Sequence, residues 1–407
     1  MPDKYGSNTE TAPAIVVGGG PAGLTAAITL AAGGIATVLI GKRPQRPDNR
    51  TSFLVAGSVT ALATLGVWRL CETQAAPLKT MRIVDDTGRL WRAPEVKFEA
   101  AEIDLEAFGY NIENRHLVAA LEQFAGTLAN LRVIEDEVDA IEPGGDTVAV
   151  ALKSGAHWRA PLVIGADGRR SLCRAAAGIA IDEREYAQAA LTVSFQHSRP
   201  HRDASTEFHT ASGPFTLVPL PGQRSSLVWV LDPLHANEIS ALDDTELAME
   251  IERASHSILG KIVLEPGRGL FPLSVATAKR FADRRIALVG EAAHVIPPIG
   301  AQGLNLGLRD AASIGELAIA AHREGRDIGG ADVLDAYDKM RRGDVGTRTL
   351  AIDLLNRTLL SDLLPAQGIR GLGLYLLDRF GPLRRAAMRE GVFPAAAQPK
   401  LMRGDVL

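Results

Sequence analysis

Apolar residues follow different patterns along the chain, and each pattern predicts a different kind of structure. Near the start, the segments AIVV (Ala14–Val17) and IATVLI (Ile35–Ile40), which are apolar except for Thr37, predict buried parallel strands. Between them, PAGLTAAITLAA (Pro21–Ala32) predicts a helix, with a proline in its first turn and a glycine pair after its end. No charged residue occurs from Ala12 to Gly41, so a membrane-spanning segment is the alternative. The glycines and proline inside that run favour a strand–helix–strand unit.

The middle of the chain changes to alternation of apolar and polar residues. From about residue 185 to 275, segments such as LTVSFQHS, FTLVPLPG and SSLVWVLD predict an antiparallel sheet with one wet face. A strand in RIALVGEAAH and a helix from about Leu304 then restore the α/β pattern, and the chain ends in helical sequence. We predict a mixed α/β fold with a discontinuous α/β domain (1–75, 108–184 and 276–345), an inserted sheet domain (76–107 and 185–275) and a C-terminal helical region (346–407).

Composition and charge narrow the choice of partners. Of the 407 residues, 46% are hydrophobic and 23% are charged, which is typical of a globular protein. The net charge of −4 gives no electrostatic reason to expect nucleic-acid binding. The two cysteines, Cys71 and Cys173, lack metal-ligand spacing, so we expect reduced thiols, no metal site and a cytoplasmic location. The polar N-terminus has no apolar segment typical of a secretory signal.

A glycine fingerprint, Gly18-x-Gly20-x-x-Gly23, joins the first strand to the first helix. Its glycines, with Pro21 and Ala22 between the last two, allow a tight turn and close approach of the backbone to a pyrophosphate, which the helix N-terminus faces. The fingerprint predicts dinucleotide binding and does not choose between FAD and NAD(P). A glycine-rich turn that binds nothing is the alternative.

The acid that usually ends the second strand of such a unit is missing. An Asp or Glu about twenty residues after the fingerprint normally binds the ribose hydroxyls. Here the strand ends in Gly41, and Lys42 and Arg43 follow. Three interpretations stay open at this point: a dinucleotide held without this acid, the 2′-phosphate of NADP held by the two bases, or no ligand.

A second motif, VIGADGRRS (Val163–Ser171), places Asp167 at the carboxyl end of a predicted buried strand. Ligands of open α/β sheets bind at this edge, although ADG is also a common turn.

The third motif is LVGEAAHVIPPIGAQGLNLGLRDAA (Leu288–Ala312), in which a strand ends at Gly290-Glu291 and a Pro/Gly loop leads into a helix. The first turns of that helix contain Asn305 and Arg309. Such a helix start offers backbone N–H groups to an anionic group, such as the N1–C2=O edge of a reduced isoalloxazine ring. A purely structural loop is the alternative.

In this order and spacing, the three motifs resemble the FAD-dependent aromatic-ring monooxygenases of the para-hydroxybenzoate hydroxylase type, and most closely the bacterial hydroxylases of ubiquinone biosynthesis. Further matching segments are DNRTSFLVAGSVTALATLGVW (Asp48–Trp68), FGYNIENRHLVAAL (Phe108–Leu121) and FTLVPLPGQRSSLVWV (Phe215–Val230). The resemblance covers about residues 14 to 393. It implies that the α/β domain is a Rossmann-like FAD-binding domain and that the inserted sheet is the substrate domain.

The resemblance also implies roles for single residues. Arg50 matches an arginine that reaches the phosphate or ring region of the flavin, and Arg115 matches a cofactor-facing arginine. Asp167 matches an aspartate linked to both FAD and NAD(P)H. Glu291 stands where the family usually has an aspartate, and its side chain is one methylene longer than that of the aspartate. The implied cofactor-binding set is Gly18, Gly20, Pro21, Ala22, Gly23, Arg50, Arg115, Asp167, Gly290, Glu291, Pro298, Gly303, Leu304 and Asn305.

The activity implied by the resemblance is ring hydroxylation. In such enzymes NAD(P)H or another electron donor reduces FAD, O2 adds at the flavin C4a atom, and the hydroperoxide hydroxylates an electron-rich ring. For this chain the implied substrate is a polyprenylated phenol or quinone precursor in ubiquinone biosynthesis. Gly41 and Glu291 depart from the family pattern and motivate one alternative, a catalytically weakened scaffold in a biosynthetic complex. Lys42 and Arg43 motivate another, an NADP-dependent oxidoreductase.

No catalytic residue follows from the sequence. A base near the ring hydroxyl would help a phenol react, and Gln196, His197 and His209 are candidates on the predicted sheet, whereas His294 is expected to support the flavin loop. Four aromatic residues are expected to form a core, with an apolar substrate wall as the alternative. They are Phe195, Phe208, Phe215 and Trp229.

The C-terminal region contains RGLGLYLLDRFGPLRRAAMREG (residues 370–391), which mixes an apolar face with arginines. An ordinary docking helix is expected. The alternative is a helix at the membrane interface that gives a lipid substrate access and places the protein at the periphery of the inner membrane.

Overall fold

A computed structural model describes residues 9–42, 50–88, 94–298, 302–360, 379–392 and 398–407. The helices are α1 (Pro21–Ala32), α2 (Ala56–Thr64), α3 (Asn114–Ala125), α4 (Leu172–Ala176), α5 (Pro233–Ala241), α6 (Asp244–Ala254), α7 (Gln302–Arg323) and α8 (Ala331–Leu360), followed by Gly381–Val392 and Lys400–Arg403.

The strands are β1 (Thr9–Thr11), β2 (Ala14–Val17), β3 (Thr37–Ile40), β4 (Thr51–Val55), β5 (Ala75–Pro77), β6 (Thr80–Asp85), β7 (Val96–Glu99), β8 (Gly109–Glu113), β9 (Leu131–Ile134), β10 (Val138–Pro143), β11 (Val148–Leu152), β12 (His157–Ala160), β13 (Leu162–Gly165), β14 (Ile181–His197), β15 (Ala204–His209), β16 (Pro214–Leu220), β17 (Arg224–Leu231), β18 (Ile262–Leu264), β19 (Gly269–Ala278), β20 (Ala282–Asp283), β21 (Ile286–Leu288) and β22 (His294–Val295).

The first core forms around a six-stranded sheet in the order β20-β21-β13-β2-β3-β9, whose strands are parallel except for β20. Strands β2, β3 and β13 are buried along their whole length, which fits their almost entirely apolar sequences. Helix α1 has the predicted bounds and packs between this sheet and α7. The charge-free run from Ala12 to Gly41 is therefore a buried strand–helix–strand unit.

The second core forms on one face of a nine-stranded sheet in the order β22-β19-β14-β17-β16-β15-β6-β7, with β18 paired to β14. Apart from the parallel pair β6 and β15, its neighbouring strands are antiparallel. Helices α5 and α6 cover one face of the sheet. The alternation of apolar and polar residues in this region did not predict these two helices. Both helices begin at an aspartate cap, Asp232 and Asp243, which accepts backbone N–H groups of the first turn.

The expected aromatic core is present. Phe195, Phe208, Phe215 and Trp229 are buried with residues of α5 and α6 such as Ile239 and Leu247. They form the covered face of the sheet, so the alternative role as a substrate wall is wrong for these four side chains.

Two smaller sheets lie beside these cores. A four-stranded sheet has the order β1-β12-β11-β10, and a three-stranded sheet has the order β4-β8-β5. Strands β6 and β7, from the predicted insertion 76–107, belong to the same sheet as the strands of 185–275. Across the described residues, no helix is long and apolar enough to span a membrane.

Candidate functional site

The fingerprint turn packs against the residue that follows β13. Gly18 has a φ of +117°, and a Cβ there would lie 2.2 Å from the carbonyl oxygen of Ala166. A Cβ on Gly23 would lie 2.0 Å from the carbonyl oxygen of Gly18, so both positions require glycine. Gly20 instead has open space and is the N-cap of α1, which starts without a side-chain cap or an acidic residue in its first turn. The first N–H groups of α1 are thus left for an external anion.

The third motif meets the first at the start of α7. A Cβ on Gly307 would lie 3.2 Å from the Cβ of Ala22 and 3.3 Å from the Cα of Gly290, which has a φ of +63°. Two turns and two helices therefore approach each other with no room for larger side chains. Of the other predicted residues, Pro298 is exposed, and Gly303 and Leu304 are half-buried at the start of α7; residues 299–301 lie outside the described residues.

Asn305 fixes the start of α7 to strand β4. Its side-chain oxygen accepts the backbone N–H of Val55 at 3.0 Å, and its side-chain nitrogen donates to the carbonyl oxygen of Phe53 at 2.7 Å. Asn305 is buried, so both backbone groups depend on this amide. Asn305 was predicted to lie beside the flavin; its polar atoms hold the two elements that would border the ring.

The buried carboxylate of Asp310 connects the turn at Gly290 to helix α8. Asp310 accepts the backbone N–H of Gly290 at 2.9 Å, Nε2 of His294 at 2.7 Å and Nε of Arg341 at 2.6 Å. These side chains are almost inaccessible to water. His294 thus has the supporting role expected for it. The sequence did not single out Asp310 or Arg341, although Asp310 directly follows Arg309 in the third motif.

Asp344 extends this cluster toward α7. It pairs with Arg341 at 2.7 Å, with Arg348 at 3.0 Å and more loosely with Arg309 at 3.3 Å. Burial alone would raise the pKa of Asp344, but the positive charges of Arg341 and Arg309 outweigh burial and lower this pKa to about 2. Burial lowers the pKa of Arg309 to about 10.

Asp167 supports the loop that carries it. Its carboxylate accepts the hydroxyl of Ser171 at 2.6 Å and the backbone N–H of Cys173 at 3.1 Å, which fixes the start of α4. Glu291, which lies in a short 3-10 turn, is exposed and pairs with Arg169 at 3.7 Å. The second and third motifs are therefore adjacent, because they follow β13 and β21, which are neighbouring strands of one sheet.

Arg115 lies at an ionic junction between the two cores. It donates to both oxygens of the buried Glu113, at 3.0 and 3.1 Å, and Arg224 of β17 contacts the same carboxylate at 3.3 Å. Arg224 also forms a two-point pair with Glu265 at 2.7 and 2.6 Å. This pairing dominates the environment of Arg224 and raises its pKa. The junction joins β8 to the nine-stranded sheet.

The bases after β3 do not form a free phosphate site in the described residues. Lys42 pairs with Glu137 at 2.8 Å, and Lys153 pairs with the other oxygen of Glu137. These two lysines lower the pKa of Glu137 to about 2. Arg43 lies outside the described residues.

The second face of the nine-stranded sheet is turned toward β4 and β8. Met81 and Ile83 pack there with Phe53, and the guanidinium of Arg50 lies 5.5 Å from the ring centroid of Phe271. Strand register places one row of half-buried residues across this face. The row consists of Ile83, Glu207, Thr216, Val228 and Thr192. We call the space between this row and β4 the inner cleft.

The predicted base candidates are divided between the two faces. His197 follows Phe195 on the covered face, where its Nε2 lies 3.0 Å from the hydroxyl of Ser225, and burial lowers its pKa. Gln196 lies on the other face near the ionic junction, with Glu265 as its partner. His209 is buried on the inner-cleft face, where its Nε2 lies 2.8 Å from Glu207. The sequence analysis did not select Glu207.

Comparison with known proteins identifies the family. The profile of the FAD-binding domain family matches residues 11–351. The chain belongs to this family. Ubiquinone hydroxylase UbiL of Rhodospirillum rubrum is 35% identical, over 98% of this chain and 94% of the relative. The 3-demethoxyubiquinol 3-hydroxylase of Escherichia coli is 33% identical, over 92% of this chain and 96% of the relative.

The fold is also found among solved structures. The crystal structure of p-nitrophenol 4-monooxygenase PnpA from Pseudomonas putida superposes with a TM-score of 0.78 at 20% identity, over 94% of this chain and 98% of that chain. The family matches confirm the predicted resemblance, the FAD cofactor and the assignment as a FAD-dependent monooxygenase. The predicted α/β fold is likewise confirmed.

The residues around the glycine turn fit FAD. The open space at Gly20 and the uncapped start of α1 suit the pyrophosphate, and the start of α7 faces the same region through Gly290 and Gly307. When bound, FAD supplies the redox and oxygen chemistry, which no side chain can perform. The chain supplies position: Asn305 and Asp310 fix the start of α7, and the row across the inner cleft places the apolar Ile83 and Val228 beside the polar Glu207 and Thr216.

Proposed function

We propose that this FAD-dependent monooxygenase hydroxylates the aromatic ring of a polyprenylated phenol or quinol in ubiquinone biosynthesis. The observation that carries the proposal is the 35% identity to a ubiquinone hydroxylase along nearly the whole of both chains. The inner cleft supports it, because Ile83 and Val228 give an apolar surface for a ring while Glu207 and Thr216 offer hydrogen-bonding groups.

The reaction would consume O2 and an electron donor, NAD(P)H or another reductant. Only one glycine fingerprint is present in the sequence, so a pyridine nucleotide would have to reach the flavin without a second domain of this type. The cofactor-binding residues proposed for FAD are those around Gly18, Gly290 and Gly303, with Arg50 and Arg115 at the edges of the inner cleft.

A direct experiment tests this function. The purified chain is saturated with FAD, and oxygen consumption is followed with NADH or NADPH in the presence of a short-chain polyprenyl phenol. Product analysis by mass spectrometry should show one oxygen atom added to the ring. Flavin binding without any oxygen-dependent product would instead favour the scaffold alternative. Tight NADP+ binding without flavin would favour the NADP-dependent oxidoreductase, which the Lys42–Glu137 pair disfavours.

A peripheral contact with membranes is proposed for the C-terminal helix Gly381–Val392. Phe380 and Leu383 are 56% and 49% exposed next to arginines, a pattern that suits an interface with anionic lipid. Residues 370–378 of the predicted segment lie outside the described residues. Co-sedimentation with anionic vesicles tests the proposal, and the double variant Phe380→Ser/Leu383→Ser should reduce binding. Equal sedimentation of both proteins would contradict it and leave an ordinary docking helix.

A further inference from the structure

Glu207 lies in the middle of the inner cleft. On this face of the sheet it is flanked by Ile83 of β6 and by Thr216 of β16, and Val228 of β17 follows in the same row. Its side chain is 25% exposed, whereas that of His209, two residues further along β15, is 7% exposed. Glu207 is thus the member of the pair that a ligand in the cleft can reach.

The hydrogen bonds of Glu207 leave capacity for a further donor. Its Oε1 lies 2.8 Å from Nε2 of His209, and its Oε2 accepts the hydroxyl of Thr216 at 3.2 Å. A carboxylate has about four lone-pair sites, so the more weakly bonded Oε2 can accept another hydrogen bond. The hydroxyl of a bound ring is a donor of the required kind.

Glu207 differs from the carboxylates at the ionic junction in the kind of ionic partner it has. Glu113 and Glu265, at the ionic junction, each pair with arginines. Glu207 is paired with neither lysine nor arginine in the part of the chain that the structure describes; its ionic partner there is His209. Asp85, which faces His209 from β6, is engaged by Thr87.

His209 itself is less suited to contact the substrate. Its Nδ1 has no hydrogen-bond partner among the described residues and is buried, so a ring in the cleft does not reach it without movement. With its Nε2 directed at Glu207, the imidazole is placed to orient the carboxylate from behind. Thr216 orients it from the neighbouring strand.

We propose that Glu207 accepts the proton of the ring hydroxyl and that His209 and Thr216 position it. This inference rests on the proposed function. The O–H bond of the substrate breaks, the proton moves to Oε2 of Glu207, and the electron pair stays on the phenolate oxygen. No electron is transferred in this step. The phenolate makes the ring more electron-rich toward an electrophilic oxygen, and the proton later leaves through the exposed edge of the carboxylate or returns to the product.

Ionisation of a bound chromophore tests this step separately from turnover. A nitrophenol that carries a short prenyl chain absorbs visible light as phenolate, and its spectrum is recorded on the FAD-loaded protein at a pH where the free compound is mostly neutral. Glu207→Gln should lower the bound phenolate fraction at least about fivefold and kcat about a hundredfold, within the usual range for loss of an acid–base group. Thr216→Val should lower both to a smaller extent.

The matched control is Glu183→Gln, a change of the same type at an exposed position of β14. It should leave the phenolate fraction and kcat unchanged. A fluorinated phenol, which ionises at lower pH, should restore much of the activity of Glu207→Gln, because that substrate no longer needs the base. Merely structural damage would not be rescued in this way.

The possible results distinguish failure of the role proposed for Glu207 from failure of the proposed hydroxylase function. An unchanged bound phenolate fraction in Glu207→Gln, with flavin content equal to that of the wild type, would overturn the role of Glu207. If Glu207→Gln fails to fold, Thr216→Val decides, and an unchanged phenolate fraction there overturns the proposal. A wild-type protein that binds flavin and forms no hydroxylated product would instead overturn the proposed function.

Discussion

Gly41 lies directly against Gly19 of the glycine fingerprint. A Cβ on Gly41 would stand 2.5 Å from the backbone nitrogen of Gly19 and 2.9 Å from its Cα. The end of β3 is held there, because the N–H of Gly41 donates to the carbonyl oxygen of Ile134 at 3.1 Å. The position of the missing ribose acid is therefore a close backbone contact, which a residue with a Cβ would disturb.

We therefore expect Gly41→Glu to weaken FAD binding. The sequence alone suggests the opposite, a gain of about 1–2 kcal/mol from a restored charged hydrogen bond. The Cβ must displace the phosphate-binding turn, and overpacking of this kind costs about 1–3 kcal/mol. FAD titration by flavin fluorescence measures the effect. Gly41→Ala carries the same clash without the carboxylate and should bind FAD as poorly. Tighter FAD binding by Gly41→Glu than by the wild type would show that the turn adapts freely.

Asn305→Ala should destabilise the protein and weaken FAD binding together. The substitution leaves the N–H of Val55 and the carbonyl of Phe53 without their partner, and unsatisfied buried groups cost about 1–3 kcal/mol each. We expect a loss of about 2–4 kcal/mol in the free energy of unfolding by urea. Asn237→Ala removes the side chain of an exposed asparagine on α5 and should cost much less. Equal losses in the two variants would be evidence against the clamp.

Asp310→Asn should be among the most destabilising conservative changes in the chain. The amide keeps the shape of the carboxylate but removes the negative charge that the buried His294 and Arg341 face, and it leaves Asp344 as the carboxylate paired with Arg341. Loss of one partner of a buried pair costs about 3–5 kcal/mol. Denaturant unfolding of the FAD-loaded protein measures this cost. Asp335→Asn, at an exposed position paired with Arg280, should change the stability by less than about 1 kcal/mol. A similar small effect for Asp310→Asn would refute the importance of the buried cluster.

The two cysteines should not react in the native protein. Burial, and secondarily the charge of Glu72, raises the pKa of Cys71 to about 11, and burial raises the pKa of Cys173 as well. Since the thiolate is the reactive form, alkylation at pH 8 should be slow until the chain unfolds. For both thiols the folded pKa is the higher one, so their contribution to stability is complete below the unfolded pKa of about 8.5. For Cys71 this contribution is lost as the pH rises through about 11. Mass spectrometry after iodoacetamide treatment, with and without urea, counts the modified residues; rapid native alkylation would show that the thiols are accessible.

The sequence alone determined the elements whose signals are local. The apolar runs of β2 and β3, the proline and glycines around α1, and the order of the three motifs carry this information within a few residues each, and they were sufficient for the α/β fold, the family and FAD. Helices α5 and α6 were missed because they are short and lie between alternating strands. Their own signals are local: Pro233 follows the Asp232 cap of α5, and Leu247, Ala248 and Ile251 lie at helical spacing after the Asp243 cap of α6.

The tertiary structure decided everything that depends on contacts between distant segments. Asn305 bonds to residues about 250 positions earlier, and Asp310 meets Arg341 on another helix. The face on which Phe215 and His197 lie follows from the helices that cover the sheet, because alternation defines two faces and does not say which one is covered. Glu207 became a candidate for the same reason, because strand register places it beside Thr216 in the row across the inner cleft. The contacts around Gly41 likewise show that a side chain has no room there, because a Cβ would lie 2.5 Å from the backbone nitrogen of Gly19.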